Sequence, residues 1–149
     1  MNRKVRRFTT ILVALSLIAP GLGWAQGQAG DAGRLNSGYD LLEQGKFDQA
    51  QKLFEEVLRQ DPDHPLALNN LAAILVKQGK YDQALVCLKR ALPRSRGFKV
   101  ALNRVCNVDG VCAARRLGEE QFGTEDLERV VKSNLLMVEM ARSSRPGKK

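Results

Sequence analysis

The side chains in this sequence best suited to chemistry are three cysteines, Cys87, Cys106 and Cys112, and one histidine, His64. Cys106 and Cys112 are six residues apart. In one continuous helix that spacing is about 9 Å of rise, more than the roughly 4.4 to 6.8 Å that a disulfide tolerates between Cα atoms. Asp109-Gly110 lies between them and is a turn signal that would break the helix and remove the obstacle. A structural Cys106–Cys112 disulfide is therefore expected. Redox catalysis is not, because there is no C-x-x-C and no His partner, and zinc would lack a fourth ligand. His64 stands in Asp61-Pro62-Asp63-His64-Pro65 with only carboxylates nearby, which reads as a solvated turn. No G-x-S-x-G, Gly-rich phosphate loop or H-E-x-x-H is present. Asn107 and Asp109-Gly110 faintly echo a calcium loop, without its bidentate Glu. The residues imply no catalytic group, no metal and no cofactor.

The compartment bears on the cysteines. Arg3, Lys4, Arg6 and Arg7 precede an apolar run from Ile11 to Ala19, Pro20-Gly21 breaks it, and Gly23-Trp24-Ala25 offers small residues to a signal peptidase. Residues 1–25 are expected to be a signal peptide cleaved before Gln26; the run is too short to span a bilayer of about 30 Å. The mature protein is expected in the periplasm or secreted, where thiols oxidise. Four of the 24 basic residues and none of the 16 acidic ones lie in residues 1–25, which leaves a mature balance of +4. That mild charge, with no aromatic-basic interleaving, argues against nucleic acid as a partner.

Positioning these residues falls to a stretch that repeats itself. Gly45-Lys46-Phe47-Asp48-Gln49-Ala50 returns thirty-four residues later as Gly79-Lys80-Tyr81-Asp82-Gln83-Ala84. At the same offset Asn36 matches Asn70, Gly38 matches Ala72, Leu41 matches Leu75, Phe54 matches Leu88 and Leu58 matches Leu92. Over roughly Asp31 to Arg104 the chain resembles the tetratricopeptide repeat (TPR) family, helix-turn-helix units that stack into a solenoid. The resemblance implies an all-α fold. Repeat 1 spans about 31–64 and repeat 2 about 65–98, a truncated third unit covers 99–123, and a C-terminal helix covers 124–142. A bundle with an internal duplication is the plainer alternative.

Within that frame, 26–33 reads as a flexible leader and 34–142 as the folded domain. Helices are expected over Arg34–Gln44, Phe47–Arg59, Leu66–Gln78 and Tyr81–Leu92. Gly45 and Gly79 should end the first helix of each unit in a left-handed turn, while small Gly38 or Ala72 lets the paired helix approach. Lys99 to Cys106 still keeps the repeat register, which then fails at Asp109. Thr124 offers an N-cap to a last helix whose stripe is Leu127, Val130, Val131, Asn134, Leu135, Val138 and Ala141. That helix should supply the third layer a TPR stack needs, with a homodimer as the other source; 143–149 reads as a disordered basic tail. Cys87 falls where repeat 1 has Leu53 and so reads as a small buried residue. Because neighbouring units pack side by side, Cys87–Cys106 is the alternative disulfide.

The family resemblance implies a protein or peptide partner held in the concave groove of the first helices, lined by Leu35, Asn36, Tyr39, Asn69, Asn70, Ala73, Asn103 and Arg104. Asn amides both donate and accept, which suits an extended backbone. Asn70 and Arg104 match positions of the clamp with which some TPR proteins grip a C-terminal carboxylate. Leu35, Tyr39 and Val100 depart from it, so a full clamp is not expected. Lys89, Arg90, Arg94, Arg96, Lys99 and Arg104 form an acid-free run that could face an anionic surface, with membrane contact at most peripheral. The expected function is a non-enzymatic exported adaptor of an envelope assembly or secretion system. A thiol-dependent redox or holdase protein using Cys106 and Cys112, and an anionic-surface binder, are the alternatives.

Overall fold

The computed structural model describes residues 22–108, 110–116 and 124–144, with side chains over 30–101, 110–116 and 124–144. Five helices and a small sheet follow in the order α1 (Leu22–Glu43), α2 (Phe47–Gln60), α3 (Pro65–Lys77), α4 (Tyr81–Ser95), β1 (Lys99–Val108), β2 (Val111–Arg116), β3 (Thr124–Asp126) and α5 (Leu127–Ser143).

The repeat is written into the backbone. Gly45 and Gly79 have φ of 73° and 74°. At the end of α1, Gly45 N–H donates to Leu42 C=O (3.0 Å) and Lys46 N–H to Leu41 C=O (2.8 Å). At the end of α3, Gly79 N–H donates to Val76 C=O and Lys80 N–H to Leu75 C=O, both at 2.8 Å. This is one helix-ending motif used twice: the left-handed glycine turns the chain so that two orphan carbonyls are satisfied. The close approach is equally specific. A Cβ on Gly38 would lie 2.6 Å from Phe54 Cε1 and 2.8 Å from its Cζ, so α1 meets α2 only because residue 38 has no side chain.

α3 is buried on nearly every face, as its almost unbroken apolar sequence requires. It packs against α2, α4, β1, β2 and α5. Ion pairs staple the periphery: Arg90–Asp63 at 2.8 Å, Arg94–Asp61 at 2.6 Å, and Arg142–Asp82 at 3.0 Å between α5 and α4.

Three boundaries differ from the sequence expectation. Residues 26–33, read as a flexible leader, belong to α1. Gly27, Gly30 and Gly33 disfavour helix locally, and Asp31 pairs with Arg34 one turn on at 3.1 Å. α5 starts at Leu127 because its cap is Asp126, whose carboxylate accepts from Glu128 N–H at 3.0 Å, while Thr124 sits in β3.

The third difference is the largest. The truncated unit does not open as a helix, since Lys99–Val108 is a strand pairing antiparallel with β2 on one side and β3 on the other, in the order β2-β1-β3. Val108 and Val111 close the β1–β2 hairpin, with Gly110 at φ 81°. β-Branched Val100, Val105, Val108 and Val111 flank an Asp-Gly pair, the residue pair that a two-residue hairpin loop favours. α5 and β2 complete the core: Val111, Cys112, Ala113, Ala114, Leu127, Val130, Val131 and Val138 join the helices of the two repeats in one cluster.

Candidate functional site

The inner face is lined by α1 and α3, the first helices of the two units, and by α5. All three pack against β2. Leu35, Tyr39, Leu66, Asn69 and Asn70 are fully buried and Ala73 is 2 % exposed. The expected open groove is therefore corrected: the chain's own strand lies in it. Asn36 is half-buried, and its Oδ1 has no hydrogen-bond partner. Asn103 and Arg104 belong to β1 rather than to a helix, and their side chains lie outside those described.

β2 is held by its main chain. On the edge not paired with β1, Asn70 Nδ2 donates to Ala114 C=O at 2.8 Å while Ala114 N–H donates to Asn70 Oδ1 at 2.9 Å. Two residues earlier Asn134 does the same, its Nδ2 donating to Cys112 C=O and its Oδ1 accepting from Cys112 N–H, both at 2.8 Å. Asn69 ties the two brackets together. Its Nδ2 donates to Asn70 Oδ1 and to Cys112 C=O, each at 3.1 Å, and its Oδ1 accepts from Asn134 Nδ2 at 2.8 Å. A carboxamide matches the N–H and C=O of one residue as a neighbouring strand would. Amides on α3 and α5 thus stand in for a strand along an edge that would otherwise be buried unsatisfied. The apolar contribution of β2 comes from small residues, Val111, Cys112, Ala113 and Ala114.

Beyond the brackets, Arg115 pairs with Asp40 of α1 and lies over the Tyr39 ring, 5.8 Å from its centroid. Burial, and the Glu43 carboxylate that the hydroxyl bonds, push the Tyr39 phenol up to about 12.

Cys87 is a free, half-buried thiol whose pKa burial raises. That rules out the Cys87–Cys106 pairing. His64 is a cap rather than a solvated turn residue. Its Nδ1 accepts from Ala67 N–H at 3.3 Å, and its ring meets Phe98 edge-on at 5.7 Å. The basic run is largely neutralised within the fold, Arg90 by Asp63, Arg94 by Asp61, Arg96 by Glu128 and Lys99 by Asp126. Among the described residues no group of three or more His, Cys, Asp or Glu could hold a metal ion. No described helix is long and apolar enough to cross a membrane.

Repeated helix pairs with a shared turn motif and an inner polar face match one family model, the tetratricopeptide repeat, over residues 41–101. That segment is made of tetratricopeptide repeats. No curated protein and no solved structure matches the chain. TPRs are protein-interaction modules whose stacked units build an extended concave surface, and in this protein that surface is built by α1, α3 and α5.

Sequence reasoning chose Asn69 and Asn70 but missed Asn134, Asp40 and Arg115. The signal for Asn134 was present: a lone carboxamide inside an apolar stripe is a buried polar group in need of a partner.

Proposed function

We propose that this protein is an exported, non-enzymatic adaptor that binds a protein partner through the groove of α1, α3 and α5, as part of an envelope assembly or secretion system. The supporting observation is the pair of amide brackets on Cys112 and Ala114: this face holds an extended backbone by groups that every peptide carries. Export rests on the basic head, apolar run and small-residue site of residues 1–25. A Cys106–Cys112 disulfide is part of the proposal. The β1–β2 register runs Arg104 to Ala114 and Val105 to Ala113 and shifts before Val108 to Val111, which leaves Cys112 facing the Cys106–Asn107 segment of β1. The anionic-surface alternative loses ground, because four of the six cations of its run, Arg90, Arg94, Arg96 and Lys99, are paired within the fold.

The experiment places a photo-crosslinker at Asn36, beside the groove, or at Lys52, on the outer face of α2, in protein exported by its own signal. Adducts specific to Asn36, on a chain beginning at Gln26, agree with the proposal. Equal adducts at both positions, or none at Asn36, remove the groove, and a chain retaining residues 1–25 removes the export step.

A further inference from the structure

The strand in the groove is bound as a ligand would be. We infer that β2 is a built-in occupant that a protein partner replaces, and that the groove selects an extended segment with small residues at the two bracketed positions and an arginine directly after the second. This rests on the adaptor reading.

Three features carry the inference. The first is the chemistry of attachment. Asn134, Asn69 and Asn70 bond Cys112 and Ala114 through main-chain N–H and C=O groups, and any extended segment offers the same groups. The second is the cost of vacancy. All three asparagines are fully buried, so an empty groove would strand amides that are now paired; replacement by a second strand restores each bond. A partner therefore exchanges with β2 rather than adding to it. The third is selectivity. Cys112 and Ala114 are packed among α1, α3 and α5, where Cys112 is 9 % and Ala114 0 % exposed, so bulk at either position has no space. Arg115 sets direction and register through Asp40 and the face of Tyr39. Ala113 between them is 1 % exposed, so the segment sought is three small residues followed by arginine, lying in the groove as Cys112 to Arg115 does.

The test uses the full mature chain and a fluorescent peptide with the sequence of residues 110–116 carrying Cys112→Ser. Binding should lower the hydrogen-exchange protection of the Cys112 and Ala114 amides by about tenfold or more, while α2 and α4 keep theirs. Arg115→Ala in the protein loosens the resident strand and leaves Asp40 and Tyr39 for the incoming arginine. Peptide affinity should rise about fivefold, the equivalent of one exposed ion pair. The same peptide with Ala114→Phe should not bind. Failure of the peptide to bind either protein, or binding that leaves β2 protected, overturns the inference. So does exchange of the Cys112 and Ala114 amides only through global unfolding. A partner crosslinked at Asn36 while β2 stays protected removes this inference and leaves the adaptor function; β2 exchange with no groove-dependent partner does the reverse.

Discussion

Asn36 and Asn70 occupy the same position of successive repeats, yet they should differ sharply when each is cut back to alanine. Asn70→Ala deletes the bracket on Ala114, leaving a fully buried N–H and C=O without their partners. Each orphaned group costs about 1–3 kcal/mol. With the small void added, the expected loss is about 3–5 kcal/mol, a large share of the roughly 5–15 kcal/mol that holds a domain together. Asn36→Ala removes a buried oxygen that already has no partner and should cost less than about 1 kcal/mol. Urea unfolding followed by circular dichroism reads the difference directly. With a slope of about 2 kcal/mol/M, Asn70→Ala should move the midpoint down by about 2 M and Asn36→Ala by less than about 0.5 M, at unchanged slope. Asn70→Leu restores volume without the amide and should stay within about 1 kcal/mol of Asn70→Ala, because the main chain remains orphaned. Equal losses at positions 36 and 70, or rescue by leucine, would show that packing rather than the bracket holds β2.

Four further outcomes follow from the same structure. Gly38→Ala should cost about 1–3 kcal/mol through its clash with Phe54, in spite of the helix propensity gained. Gly38→Ala/Phe54→Leu, the Ala/Leu combination that repeat 2 has at positions 72 and 88, should recover most of that loss; a double-mutant cycle with no coupling would contradict the shared-contact account. Burial holds the His64 imidazole below its usual 6.5, with Arg94 and Arg116 acting in the same sense and Asp61 and Asp31 opposing. At pH above 6.5 both states are neutral; as pH falls below it the unfolded chain binds the proton first, so stability declines until the folded pKa is passed. His64→Asn keeps a capping side chain and should flatten that limb of the urea-midpoint profile; a wild-type profile flat between about pH 7 and 5 would oppose this. Alkylation of exported protein followed by mass spectrometry should modify Cys87 alone without reductant and all three cysteines with it. Reduction should cost about 2 kcal/mol for so short a loop.

What could be read in the sequence was whatever local chemistry or repetition enforces. Gly45 and Gly79 were legible because a left-handed turn needs glycine and the need recurs at a fixed offset. The α5 stripe was legible from its spacing. The hairpin was not, because Lys99 to Cys106 keeps the register of a third repeat while its valines and the following Asp-Gly favour strands, so two local signals compete over the same residues. The outcome is set by contacts remote in sequence: only a strand edge offers Asn69, Asn70 and Asn134 main-chain groups to bond. For the same reason Asn69 and Asn70 could be assigned to the inner face but not to their partner, since a carboxamide looks alike whether it awaits a foreign peptide or holds a segment more than forty residues further along its own chain.

The side-chain amide protons of Asn70 and Asn134 report most directly on whether this groove grips an extended chain. In a nuclear Overhauser spectrum of the native, unliganded protein, the Asn134 Nδ2 protons should lie beside the Cys112 amide, the Asn70 Nδ2 protons should lie beside the Ala114 amide, and both pairs should exchange slowly with water. Rapidly exchanging carboxamides with no contact to residues 112–114 would mean that β2 does not occupy the groove, and the account would fail.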